Sequence, residues 1–350
     1  MTVARIDLSP GYTISRVIRG GWQLAGGHGP VDRDKTTADM IAFADAGITT
    51  FDCADIYTGV EELIGGFRSE YAKQRGAEAL ARIKVHTKLV PDLTRLATVD
   101  RAYIRGIVET SLKRLRMERL DLVQFHWWDY DVPRYLDAVG WLNEMRLEGK
   151  VARIGGTNFD TERSLEIIGS GVPLLSMQVQ YSLLDARPQR QLAKAALENG
   201  MWILCYGTVA GGFLGDTWLG RKEPEHPLEN RSLTKYKLII DDFGGWDLFQ
   251  SLLQTLRRIA DRHATDIATV ASAAMLNRPA VAAVIVGARN RTHLARNVAV
   301  SELALTDQDF AEIAVIQAQG TIPAGDTYTL ERDRSGRHGS IIKYNLNAES

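Results

Sequence analysis

The chain has 350 residues, 45% hydrophobic and 24% charged, with a formal net charge of -1. This is the composition of an ordinary soluble globular protein, and the near-zero charge excludes a general attraction to nucleic acid or anionic membrane. Length alone suggests two domains, but α/β barrels reach such sizes as one, and a single domain over 1–350 is expected.

The opening stretch "MTVARIDLSPGYTISRV" lacks the apolar core of a signal peptide. No run approaches the roughly 18 apolar residues of a membrane helix, so a cytoplasmic protein with neither membrane nor nucleic-acid partner is expected. Cys53 and Cys205 lie in apolar, strand-like runs. They read as two isolated buried thiols in a reduced compartment rather than as a disulfide.

Along the chain, short β-rich runs alternate with longer stretches of helical periodicity. The first strand is expected over 15–22 ("SRVIRGGW"), with a helix over about 34–45. "ITTFDCA", 48–54, precedes a helix over 60–73, and "RIKVHTKL", 82–89, precedes one over 99–117. In that third helix Ile104, Ile107, Val108, Leu112 and Leu115 form a stripe for packing on a sheet. "LDLVQFH", 120–126, leads to a helix over 133–148, and "VARIGGTN", 151–158, to a short helix capped by Asp160. "LLSMQVQ", 174–180, precedes a helix over 188–198 with Pro188 in its first turn. "MWILCYG", 201–207, opens a long polar, Gly-rich loop before helical material from about 246. "AVAAVIVGA", 280–288, closes the series before a last helix pair from 291.

Near-continuous apolar strands separated by helices imply a parallel sheet covered on both faces. Eight such units without a break in composition predict an α/β fold of the closed (β/α)8 TIM-barrel type, with a long strand-7 loop. The G-x-G-x-x-G fingerprint of the open dinucleotide-binding sheet is absent after the first strand.

In such barrels the active site lies at the carboxyl ends of the strands. Those ends carry Asp52, Lys88, His126, Thr157-Asn158, Gln178 with Gln180, and Tyr206, with Tyr57 just beyond the second strand. Taken singly, each has a bland reading: Asp52 as a helix cap, His126 as a structural histidine, Tyr57 as a packed loop aromatic, Lys88 snorkelling to solvent. Together they meet the needs of carbonyl reduction by hydride. The developing alkoxide needs a proton and a stabilising donor. A tyrosine, with a reference pKa of about 10, is brought towards use by a neighbouring ammonium. Asp52 keeps that ammonium of Lys88 charged in a partly dry site, and a neutral His126 is expected to donate a hydrogen bond to the carbonyl oxygen.

At these residues the sequence resembles the aldo-keto reductase superfamily, over nearly its whole length. "GITTFDCADIYTGVEELIGGF" is similar to the family stretch carrying the catalytic Asp and Tyr, here Asp52 and Tyr57; "VHTKL" supplies Lys88, and "SLKRLRMERLDLVQFHWWD" ends in His126. The resemblance implies a nicotinamide cofactor, NADPH rather than NADH, and no metal. By it, Thr157, Asn158 and Gln178 hold the nicotinamide carboxamide, and Tyr206 stacks on the ring. Thr208, Ala210, Gly211 and Gly212 line the pyrophosphate. "VIVGARNRTHLARNVAV" resembles the adenosine-end segment: Asn297 contacts adenine, and Arg289 grips a 2′-phosphate. Gly287 and His293 stand there where other members carry Lys and Arg. Trp22, Trp127 and Trp128 are expected to wall the substrate pocket, and 321–350 to form the variable C-terminal substrate loop and tail. The run Arg332-Asp333-Arg334-Ser335-Gly336-Arg337 reads as a solvated loop.

The leading expectation is thus an NAD(P)-dependent reductase or sugar-type dehydrogenase acting on a small carbonyl or sugar substrate. Two others stand beside it. One is a cofactor-binding regulatory subunit of a membrane channel, which binds cofactor and turns it over very slowly. The other is a metal-dependent hydrolase using Asp52, His86 and His126, although no close His pair completes a metal shell.

Overall fold

In the computed structural model, which describes residues 3–25 and 29–342, the eight apolar runs pair edge to edge in parallel ladders. The final eight residues of the expected tail, 343–350, lie outside the described residues. A hairpin comes first: β1 (Arg5–Ser9) and β2 (Tyr12–Ser15) pair antiparallel. The barrel strands are β3 (Val17–Gly20), β4 (Thr50–Asp52), β5 (Lys84–Leu89) and β6 (Leu122–Phe125). They continue as β7 (Ile154–Thr157), β8 (Leu174–Gln180), β9 (Trp202–Tyr206) and β10 (Val281–Gly287). β10 bonds to β3 on one side and β9 on the other, which closes the expected barrel.

Each strand is buried almost throughout, as a parallel sheet covered on both faces requires. Helices return the chain between strands, and those over Arg33–Asp45, Arg101–Leu115, Tyr135–Leu147 and Thr161–Gly169 follow the sequence expectation closely. Asp160 caps the last of these by accepting from the Arg163 amide at 2.8 Å. The helix after β4 runs further than expected, Val60–Arg82, with a kink at Gly76, where φ is 84° and only glycine is unstrained. The segment expected over 188–198 divides into a 3-10 turn (Arg187–Gln189) and a helix (Leu192–Glu198), because Gln191 leaves helical geometry between them.

The long loop after β9 contains a helix that the sequence reading passed over, Arg231–Phe243. Asn230 caps it through the Leu233 amide at 3.0 Å, and Tyr236, Ile239, Ile240 and Phe243 bury one face.

The hairpin closes the amino-terminal end of the barrel. Leu8, Tyr12 and Ile14 pack on the inward side chains Ile18, Leu122, Leu204 and Ala283. Tyr12 Oη lies 3.0 Å from His86 Nε2, so His86 serves the lower barrel. The opposite end, where the strands finish, is left for chemistry.

Candidate active site

A side chain two residues along a strand returns to the same face, so His86 and Lys88 both enter the barrel, with Lys88 nearer the open end. Its ammonium donates to Asp52 Oδ2 at 2.7 Å and to the Cys53 carbonyl at 2.8 Å. The other carboxylate oxygen of Asp52 accepts from Gln124 Nε2 at 3.0 Å and Gln178 Nε2 at 2.6 Å. Gln178 also donates to Gln124 Oε1 at 3.0 Å. The buried carboxylate is therefore fully engaged, which is what makes its burial tolerable. Burial alone would depress the Lys88 pKa, but Asp52 and Tyr57 outweigh it and hold the ammonium above its usual range.

The Lys88 ammonium also stands 4.9 Å from the centroid of the Tyr57 ring. Burial raises the Tyr57 pKa and Lys88 lowers it; burial wins, so the phenol stays above its ordinary value. The expected downward pull is present but is the smaller force. Trp22 packs edge-on against Tyr57 at 5.2 Å.

His126 projects just past the end of β6. Its Nδ1 is 3.0 Å from the Thr157 carbonyl, which can only accept, so Nδ1 carries the proton. Burial, with help from Arg332, takes its pKa down to about 3, so the ring is neutral and Nε2 holds a lone pair. Nε2 is buried with no partner among the described residues. This corrects the expectation that His126 donates: the ring, as oriented, accepts.

Trp128 meets the His126 ring edge-on at 4.4 Å, and Tyr328 does so at 5.8 Å. Trp127, expected beside them, points the other way. It is wholly buried against Phe125 and Tyr135, with its indole N–H on the Asp129 and Val132 carbonyls. Alternation along the chain separates it from its neighbours, and it packs the layer outside the barrel.

Asp52, Tyr57, Lys88 and His126 thus converge at one barrel mouth from the ends of three strands, β4, β5 and β6. The Aldo/keto reductase family model matches residues 16–318, which spans every barrel strand. The chain belongs to the aldo/keto reductase family.

Similar proteins include probable aldo-keto reductase 1 of Glycine max, 26% identical over 322 residues, covering 91% of this chain and 90% of that one. The NADH-specific methylglyoxal reductase of Escherichia coli is 26% identical over 318 residues, covering 85% and 93%. Among solved structures, the glycerol dehydrogenase of Gluconobacter oxydans has the same fold, with a TM-score of 0.75 at 22% identity over 93% of this chain and 97% of that one.

The remaining polar rim of this aldo/keto reductase runs from β7 to the helix after β10. Thr157 turns its hydroxyl to the Gln178 carbonyl at 3.1 Å. Asn158 adopts φ 61°, and its Oδ1 accepts from Tyr206 Oη at 2.9 Å. Thr208 is buried with its hydroxyl 2.9 Å from Ser272 Oγ. The amides of Ala210 and Gly212 are spent on the Gly207 and Val209 carbonyls. Gly207 and Gly211 have positive φ, and a Cβ on either would strike Tyr236. Gly287, Arg289 and His293 are exposed, and Asn297 keeps a buried Nδ2 without a partner among the described residues. No group of three His, Cys, Asp or Glu side chains among the described residues is arranged to hold a metal.

Sequence reasoning passed over Gln124, Tyr328 and Arg332. Gln124 carried a signal, as a polar residue inside the apolar run "LVQF", two before His126 and on its face. Arg332 does not belong to a solvated loop: its guanidinium donates to the carbonyls of Trp127, Trp128 and Asn158. Only the tertiary fold brings those carbonyls together.

Proposed function

We propose that this chain is an NAD(P)-dependent oxidoreductase that moves a hydride between nicotinamide and the carbonyl or alcohol carbon of a small aldehyde, ketone or sugar. The observation that carries this reading is Lys88, which is paired with the Asp52 carboxylate at 2.7 Å and stands 4.9 Å from the centroid of the Tyr57 ring. When bound, the nicotinamide supplies or takes the hydride.

The chain's own residues do the rest. In reduction, the Tyr57 O–H holds the carbonyl oxygen and gives it the proton as negative charge develops there. Lys88 stabilises the phenolate left behind, and Asp52 keeps Lys88 charged. The lone pair on His126 Nε2 can accept a hydrogen from a substrate hydroxyl other than the one that exchanges its proton with Tyr57. In oxidation, the Tyr57 phenolate takes the proton. Trp22 packs against Tyr57, and Trp128 and Tyr328 stand against the His126 ring, so aromatic faces flank these groups.

The polar rim fits the cofactor. Asn158, Gln178 and Tyr206 suit the nicotinamide end, and the glycine-rich turn over 207–212 lets a pyrophosphate approach closely. Asn297 has an unspent amide for the adenine. The exposed Arg289 supports NADPH over NADH through its fit to a 2′-phosphate. Two buried free thiols support a reducing, cytoplasmic setting.

The test follows nicotinamide absorbance over a panel of aldehydes, ketones, polyols and free sugars, with both cofactors. Turnover on at least one class is expected. Tight cofactor binding without turnover on any would instead favour a regulatory role.

A further inference from the structure

Arg332 is the residue whose placement the reaction scheme leaves unused. Its Nη1 donates to the Trp127 carbonyl at 2.5 Å and the Trp128 carbonyl at 2.8 Å, and its Nη2 to the Asn158 carbonyl at 2.8 Å. One guanidinium thereby ties the turn that follows His126 to the turn that follows Thr157. Its flat face lies 3.8 Å from the centroid of Tyr130. The fork is thus fixed in direction as well as in position.

The adjoining residues hold that fork in place. Glu331 takes both terminal nitrogens of Arg187 at 2.9 Å, and Arg187 in turn pairs with Asp185; all three are buried. Asp326 accepts from the Thr161 amide at 2.7 Å, and Thr327 donates to the Phe159 carbonyl at 2.7 Å. The segment is therefore stitched to the β7 side of the mouth before Arg332 reaches across.

Both turns it grips matter to the site. Trp128 sets the edge against which the His126 ring stands. Asn158 holds a left-handed backbone, a conformation that persists only where the surroundings over-determine it. Its side chain is pinned by Tyr206 and its carbonyl by Arg332.

We infer that Arg332 is a positioning residue that locks the His126–Trp128 turn and the Asn158 peptide into one arrangement and so couples the substrate side of the mouth to the nicotinamide side. This rests on the oxidoreductase reading above. A lysine cannot do the same work, since a point ammonium neither spans the three carbonyls nor stacks on Tyr130.

The experiment compares wild type with Arg332→Ala and Arg332→Lys, each with and without millimolar guanidinium. Misplacement of about 1 Å costs on the order of 10²-fold, so Arg332→Ala should lose roughly that factor in kcat, with KM for the carbonyl nearly unchanged. Guanidinium should restore at least about tenfold of kcat to Arg332→Ala, and Arg332→Lys should rescue little.

Tryptophan emission gives a reading that needs no turnover. It should shift in Arg332→Ala, return with guanidinium, and stay still when the same change is made in a Trp128→Phe background. A kcat within about twofold of wild type in Arg332→Ala, or full rescue by Arg332→Lys, would overturn the inference. So would failure of both variants to fold, which would make Arg332 a structural anchor only. If wild type turns over no carbonyl, the oxidoreductase reading falls, and the emission experiment alone decides the role of Arg332.

Discussion

Lys88 Nζ stands 2.7 Å from Asp52 Oδ2, and neither side chain is more than 7% exposed. Removing one member of a buried pair leaves an uncompensated charge and costs about 3–5 kcal/mol. Lys88→Met should therefore lower stability by that order in urea unfolding and abolish turnover. The double variant with Asp52→Asn should regain most of the stability and none of the activity. Recovery of turnover in the double variant would show that the pair is structural.

The two adjacent tryptophans should separate cleanly. Trp127 is fully buried outside the barrel, so Trp127→Ala should cost about 3–5 kcal/mol through the cavity it leaves. Trp128 faces the His126 ring, so Trp128→Ala should change KM and substrate preference with a smaller loss of stability. Unfolding curves and a substrate panel read both effects; equal changes in substrate preference would contradict the assignment.

That contrast marks how far the sequence carries. The barrel strands were legible because parallel strands buried on two faces read as apolar runs, and six of the eight, from β4 to β9, end at or next to a polar residue. The hairpin of β1 and β2 was legible in retrospect, since Ile6, Leu8, Tyr12 and Ile14 flank a Pro-Gly turn in short alternating runs. The helix Arg231–Phe243 hid behind its polar residues, and Asn230 was its one clear signal. Trp127 and Trp128 could have been told apart by continuing the strand's two-residue alternation, which puts Trp127 with Phe125 and Trp128 with His126. The role of Arg332 depends on carbonyls some two hundred positions away, which no local pattern encodes.

Acid should unfold the protein through its two barrel histidines. Burial takes His126 down to about 3 and His86 down to about 4, so both are neutral in the folded chain at pH 5. In the unfolded chain they titrate near pH 6.5. The unfolded state then binds more protons from about pH 6.5 downwards, so stability rises with pH across that window and is lost on acidification. Lowering pH from 7 to 5 should cost about 2 kcal/mol per histidine, at roughly 1.36 kcal/mol per pKa unit. Urea midpoints at the two pH values measure this, and His86→Gln should lose about half as much as wild type. Identical pH dependence in the variant would remove His86 from the account.

Cofactor preference should follow Arg289. A hydrogen bond to a charged group is worth about 1.5–3 kcal/mol, so Arg289→Ala should weaken NADPH by roughly 10- to 100-fold while leaving NADH nearly unchanged. Fluorescence titration with each cofactor reads the difference. Equal weakening of both would mean that Arg289 holds some part of the cofactor other than a 2′-phosphate.

The most direct test of the central claim is Tyr57→Phe, measured beside wild type for turnover on the best substrate and for cofactor affinity. The variant keeps the ring that packs against Trp22 and lies near Lys88, and it removes only the proton that the chemistry needs. The account predicts that cofactor affinity stays within about twofold while kcat falls by about 10²–10⁴. Turnover that survives in Tyr57→Phe would contradict it and move the proton transfer to another group.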